Sequence, residues 1–112
     1  MLSKKFRFHS RGGVRFTYAH GKTIRTPKIS LVYNDNSRGF QRFAVVVSKK
    51  VEKTAVGRNR IRRRVYEAIR TEFDRAPKKR DNIFVVYNKD VMTMDFTELC
   101  SLVRSLFSQS MV

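Results

Sequence analysis

Between Asn82 and Asn88 the chain reads "NIFVVYN", and this short run constrains the fold more than any other. Side chains on a strand alternate between faces, so Ile83, Val85 and Tyr87 lie on one side and Phe84 and Val86 on the other. Both faces are therefore apolar, the pattern of a strand covered from above and below. Such a strand is expected at the centre of a sheet, with further elements packed against it.

The rest of the chain supplies those elements. "KISLVYNDNSRGFQRFAVVVS" reads as two strands, about Lys28 to Asn34 and Phe40 to Ser48, rich in β-branched and aromatic residues. The turn-forming "NDNSRG" between them predicts a hairpin. Ile61, Val65, Ala68, Ile69 and Phe73 then recur at helical spacing, which predicts a helix from about Arg58 to Phe73 with that stripe on the sheet. Pro77 and the polar "KKRDN" end it. Asp95 and Glu98 have capping-box spacing ahead of Phe96, Leu99, Leu102, Val103 and Leu106, which predicts a C-terminal amphipathic helix. In "GGVRFTYAHG" the signals conflict. Val14, Phe16 and Tyr18 alternate with polar residues as in a strand, while Ser10 as N-cap and Gly21 past the end would frame a helix. Periodicity leaves both open. At 112 residues the chain is expected to form one domain, residues 1–112, with residues 1–9 as a loose N-terminal arm.

Charge is distributed unevenly along this domain. Residues 1–64 hold 18 of the 25 Lys and Arg but two of the nine acids, Asp35 and Glu52, a net of +16. Residues 65–112 hold seven of each sign and sum to zero. One small globule with that asymmetry carries a basic face, and a polyanion is its natural partner. A charge serving only solubility would intersperse Lys with Glu. Other classes find little support. A single Cys100 excludes an internal disulfide, and His9 and His20 offer no metal-ligand spacing. The start "MLSKKFRFHSRGG" lacks the apolar stretch of a secretory signal, and "AVVV" and "IFVVY" are too short to span a bilayer. A cytoplasmic protein without a membrane partner or small-molecule substrate is expected.

The charge peaks in "GRNRIRRRVYEAIR", where five arginines occupy the seven positions from Arg58 to Arg64. Arg60, Arg63 and Arg64 fall away from the apolar stripe or along one flank, whereas Arg62 nominally points into it and is expected at its rim. Cations near a helix N-terminus are each unfavourable by a few tenths to about 1 kcal/mol. No acid compensates them, because the residues four places after Arg58, Arg60 and Arg62 are Arg62, Arg64 and Tyr66. That cost makes sense when an external phosphate is expected, held by guanidinium forks and the helix end together. Lys49, Lys50 and Lys53 extend the patch. The Asn59 amide is placed to contact a base edge or ribose, or equally to cap the helix.

Taken in order, a "VVVSKKV" strand end, "AVGRNRIRRRVYEAIR", an apolar strand and a C-terminal helix resemble the protein subunit of bacterial ribonuclease P. The hallmark is Arg58-Asn59-Arg60 opening a helix after Ser48-Lys49-Lys50, and the resemblance covers nearly the whole chain. It implies an α+β, single-domain two-layer sandwich, α-β-β-β-α-β-α, with a left-handed βαβ crossover, like the second domain of a small-subunit ribosomal protein. It places a short third strand near "SKKV" and makes the ambiguous segment a helix, about Gly12 to His20. It also implies partners, ribonuclease P RNA and precursor tRNA, and an RNA-catalysed removal of the 5′ leader with Mg2+ bound mainly by the RNA subunit. Carried over, Lys49, Lys50, Lys53, Arg58, Asn59, Arg60, Arg62, Arg63 and Arg64 contact that RNA, and Val14, Phe16, Tyr18 and Tyr33 contact the leader. The spacer "VEKTAVG" departs from the family pattern, lacking its Gly-Asn pair and running about one residue longer. The first helix also departs from it, with Gly12 and Gly13 at its start and Val14 where an aromatic is common.

Two competing classes remain distinguishable. An autonomous nuclease needs a positioned acid and base or a carboxylate cluster for metal ions, yet seven of the nine acids follow residue 64, away from the basic patch. A ribosomal or general RNA-binding protein shares the charge argument, and only reconstitution separates it from the family reading.

Overall fold

The computed structural model describes residues 2–8 and 11–111, with the side chains of residues 11–13 left aside. The helices are α1 (Arg11–His20), α2 (Ala55–Thr71) and α3 (Phe96–Ser110), and the strands are β1 (Lys22–Arg25), β2 (Ile29–Asp35), β3 (Arg42–Val47) and β4 (Arg80–Val86). Their order is the expected α-β-β-β-α-β-α. The four strands form one mixed sheet in the order β1-β2-β4-β3. The strand with two apolar faces, β4, lies inside it, antiparallel to β2 and parallel to β3.

That central placement overturns the expected hairpin. The strands around Lys28–Asn34 and Phe40–Ser48 do not pair with each other, because β4 sits between them and hydrogen-bonds to both. β4 can bury both faces only by taking the inner position, which outweighs the local turn signal of "NDNSRG". The turn residue Asn36 instead donates its backbone N–H to Lys79 O at 2.8 Å, tying the β2–β3 connection to the start of β4. The hairpin that does form joins β1 to β2, with Lys22 opposite Tyr33 and Arg25 opposite Ser30. The short third strand is therefore β1, upstream of the other two, and not a piece of "SKKV". Residues 48–51 make a turn closed by Val51 N–H to Ser48 O at 3.1 Å.

Alternation along the strands divides the core in two. Leu31, Phe43, Val45, Phe84 and Val86 face α2 and α3, where Ile61, Val65, Ala68 and Ile69 meet Leu99, Val103, Leu106 and Phe107. This is the two-layer sandwich, and truncating one of its Ile or Leu side chains to Ala costs about 2–5 kcal/mol. On the opposite face Val32, Ala44 and Ile83 are covered by Phe8, with Val14 of α1 packed against them. Of the loose arm expected over residues 1–9, the described residues 2–8 pack on the domain: Leu2 and Phe8 are each 4% exposed, and Arg7 bridges to Phe43 of β3. Apolar residues in this segment repeat too sparsely to register as an element, yet they cap both layers.

Helix ends follow local chemistry. Gly21 stops α1 where its N–H donates to Thr17 O at 2.7 Å, and a Cβ there would sit 2.6 Å from the Tyr33 carbonyl oxygen, so only glycine fits. Ser10, the N-cap expected for this helix, lies outside the described residues. Asp95 caps α3 by accepting from Thr97 N–H at 2.8 Å. α2 begins three residues before the expected Arg58 and ends at Thr71, with Phe73 in a following 3-10 turn.

Candidate nucleic-acid interface

The earlier start of α2 rearranges the basic patch. Thr54 is the N-cap, its hydroxyl accepting from Gly57 N–H at 3.0 Å, and Asn59 is not. Gly57 is buried against this cap; a Cβ there would lie 2.5–2.8 Å from the side chains of Glu52 and Thr54. The Glu52 carboxylate accepts from Thr54 N–H at 3.2 Å and pairs with Lys89 at 3.4 Å. The Thr54 hydrogen bond, foremost, and the Lys89 charge hold Glu52 below the usual carboxylate range. The first acid near the patch is thereby engaged elsewhere, and the arginines start one turn inside the helix.

Those arginines have different surroundings. Arg58 turns back to donate to the carbonyls of Glu52 at 3.1 Å and Lys53 at 2.8 Å, bracing the loop. Arg64 reaches across to the 3-10 turn Lys89–Met92, donating to Val91 O at 3.0 Å, Met92 O at 2.9 Å and Met94 O at 2.7 Å. A guanidinium with three such bonds staples α2 to the turn that precedes α3. Arg62 is half-buried, at the rim as expected, and donates to the side-chain oxygen of Asn59. Arg63 is exposed and makes one long contact, 3.5 Å, to Asn59 O. Arg60, Lys49, Lys50 and Lys53 are exposed, and among the described residues none of them, nor any arginine from 58 to 64, has a carboxylate partner. The free charge is thus concentrated on Arg60, Arg63 and the three lysines.

A second surface lies over the other sheet face. Thr17 is buried and Val14 half-buried, so α1 rests on the sheet through these two positions. Val14 packs there against the cluster of Phe8, Val32, Ala44 and Ile83. Tyr18 and Phe16 project on opposite flanks, about 200° apart around the helix, and are 45% and 57% exposed. The Tyr18 phenol is pushed above its ordinary pKa by partial burial and then by the neighbouring Tyr87. Tyr87, exposed, continues the Ile83–Val85 face of β4, and half-buried Val85 lies in register with Val46 of β3. Tyr18, Tyr87, Val85 and Val46 together offer a stacking surface. Tyr87 was readable as a member of that strand face, but nothing in its spacing marked it as a site residue. Tyr33 does not join them. It is the register partner of Asn82 and packs toward the main core, with the Arg80 guanidinium 4.7 Å above its ring.

Two further geometries bear on chemistry. Among the described residues no three His, Cys, Asp or Glu side chains gather as metal ligands. No described helix is long and apolar enough to cross a membrane. His20 ends α1 and stacks on Phe16 at 4.5 Å, while His9 lies outside the described residues.

Comparison with known proteins gives one answer. The family model described as Ribonuclease P matches residues 2–110. The ribonuclease P protein component of Syntrophus aciditrophicus is 31% identical over 99 residues, covering 88% of this chain and 82% of that protein. That of Thermoanaerobacter sp. strain X514 is 33% identical over 93 residues, covering 83% and 78%. Among solved structures, the RNase P protein from Thermotoga maritima superposes with a TM-score of 0.82 at 22% identity, over 92% of this chain and 96% of that one. The Staphylococcus aureus protein gives 0.79 at 18% identity over 94% of each.

Proposed function

The chain belongs to the ribonuclease P protein family, the protein component of a tRNA-processing enzyme that works with the ribonuclease P RNA, and from that premise we propose how its two surfaces divide the work. The α2 face bearing Arg60 and Arg63, with Lys49, Lys50 and Lys53 at the end of β3, binds the phosphates of the RNA subunit. The α1 surface around Tyr18 holds the single-stranded 5′ leader of precursor tRNA. Cleavage is carried out by the RNA with its own magnesium, and this chain positions the substrate and neutralises phosphate charge near the reacting bond.

One observation carries this reading: five cations stand exposed on one rim without a carboxylate among the described residues. Their mutual repulsion is relieved when a folded polyanion supplies the counter-charges, with release of condensed counterions. Arg62 donates to the side-chain oxygen of Asn59, and this leaves the amide N–H groups of exposed Asn59 as donors for that partner. Tyr18 and Tyr87 supply π faces, each worth about 1–3 kcal/mol per stacked base. The test is reconstitution. Added to a bacterial ribonuclease P RNA at low magnesium, the full chain should restore cleavage of precursor tRNA and favour precursor over mature tRNA in binding. Binding without rescue of cleavage would make it a general RNA-binding protein.

A further inference from the structure

Phe16 points away from the Tyr18 surface, and its surroundings are a built groove of about 490 Å3. One wall is the Phe16 ring, 57% exposed and steadied by the His20 imidazole stacked on it. The other wall is the turn after β2. Its Asn36 side chain donates to Phe40 O at 3.2 Å and to Asp81 Oδ1 at 2.8 Å, and accepts from Arg38 N–H at 3.0 Å. Gly39, at φ 82°, takes the left-handed turn that lets this rim close. The turn is therefore fixed before any ligand arrives. The Arg38 side chain projects from it exposed and without a partner among the described residues.

Charge distinguishes this groove from the α2 rim. Arg42 at its base is neutralised within the wall, donating to both oxygens of Asp81 at 2.8 and 2.7 Å. Asp35, one of the two acids in the basic part of the chain, also lines the groove and pairs with Arg80 at 3.6 Å, so among the described residues Arg38 is the lining cation without a carboxylate partner. A nearly charge-balanced cleft with an exposed ring and a fixed polar edge suits the base of a nucleotide better than its phosphate, and one free guanidinium suffices for that phosphate. A volume near 490 Å3 falls in the range of small-molecule sites.

We propose that this groove is a nucleobase subsite for single-stranded RNA, with the Phe16 ring stacked on one base, Asp35 and Ser37 at its edge and Arg38 on the adjoining phosphate. The inference rests on the reading that single-stranded RNA lies over this face of the sheet, and it adds a second point of attachment, across α1 from Tyr18. Because the groove belongs to the chain itself, it should bind RNA without the RNA subunit.

The probe is a fluorescein-labelled octaribonucleotide and a set of the same octamers with one abasic residue at each position in turn, titrated into the full chain. Phe16→Ala should weaken binding roughly 5- to 100-fold, the stacking share of one base, while Phe16→Tyr stays within about twofold. At least one abasic position should cost the wild-type chain a similar factor and the Phe16→Ala chain nothing. The backbone amides of Ser37 and Arg38 should shift in NMR spectra on titration. Equal affinity for wild type and Phe16→Ala overturns the proposal, and so does a loss in Phe16→Ala that adds to every abasic loss, because the ring then acts through the fold. Cleavage rescue with the RNA subunit is read separately. Rescue with an inert Phe16 sinks this inference alone, and a working Phe16 subsite without rescue sinks the assignment of function alone.

Discussion

The two ends of α2 treat charge in opposite ways. In its C-terminal half and just beyond, Glu67 pairs with Arg70 at 3.0 Å, and buried Glu72 receives Arg104 at 2.6 Å and Arg75 at 3.4 Å. In its N-terminal half Arg60 and Arg63 face solvent with no carboxylate partner among the described residues, and Glu52 is turned to the cap and to Lys89. The same helix therefore shows that this chain supplies partners where a charge helps hold elements together, as Glu72 does between α2 and α3. Where it withholds them, the unpaired charge is available to something outside. A helix stripped of acids by chance would not also have had its nearest acid diverted.

The largest effect should separate affinity from stability. Replacing Arg60 and Arg63 together by Ala should weaken binding to ribonuclease P RNA by roughly 10- to 100-fold at physiological salt, and lower the slope of log K against log salt by about 1.4–1.8, two phosphates' share. Both side chains are exposed, so urea unfolding should shift by no more than about 0.5 kcal/mol. A stability loss larger than the binding loss would erase the contrast between the two ends of the helix.

Arg64 sharpens the comparison because it lies among the free cations yet behaves like the paired end. Its three carbonyl bonds join α2 to the turn before α3. Arg64→Ala should lower unfolding stability by about 1–3 kcal/mol, since hydrogen bonds from a charged donor are lost and half-buried carbonyls go unpaired. The salt slope of RNA binding should stay as in wild type. A slope reduced by a full phosphate's share would return Arg64 to the RNA-contact set.

The distinction between Arg60 and Arg64 also marks where the sequence stops speaking. Helical spacing reports which side of α2 a residue occupies, and the stripe Ile61, Val65, Ala68 and Ile69 is buried as the spacing requires. It cannot report that the chain returns after β4 with three carbonyls aimed at position 64, because that contact spans about thirty residues. Non-local pairing misled the strand reading in the same way. Turn chemistry at "NDNSRG" is local and suggested a hairpin, whereas the competition for the two edges of β4 is settled only when all strands are present. The two apolar faces of β4 were the part of that competition visible in one segment, and they located the strand correctly. Residues 2–8 were illegible for a different reason: two buried apolar anchors six positions apart, Leu2 and Phe8, make no period at all. In the candidate interface, composition exposed the basic rim, while Tyr87 and the groove beside Phe16 depend on which side chains the sheet and α1 bring together.

The smallest effect tests the paired end through pH. Glu72 is held below the usual carboxylate range, first by the hydrogen bond from Arg104 and further by the charges of Arg104 and Arg75, against the opposing effect of burial. A carboxylate with a depressed pKa in the folded state contributes stability above its unfolded pKa, about 4.3, and loses that contribution as pH falls through the lower folded value. Glu72→Gln should therefore unfold at lower urea than wild type at pH 7, and the gap between the two midpoints should narrow as pH falls below about 4, where the wild-type side chain also becomes neutral. RNA binding by the α2 rim should be the same in both proteins at pH 7, because the altered charge lies on the far end of the helix and behind a paired arginine. A gap that does not change with pH would mean that Glu72 acts by shape alone, and the contrast between a paired and an unpaired end of α2 would lose its electrostatic basis.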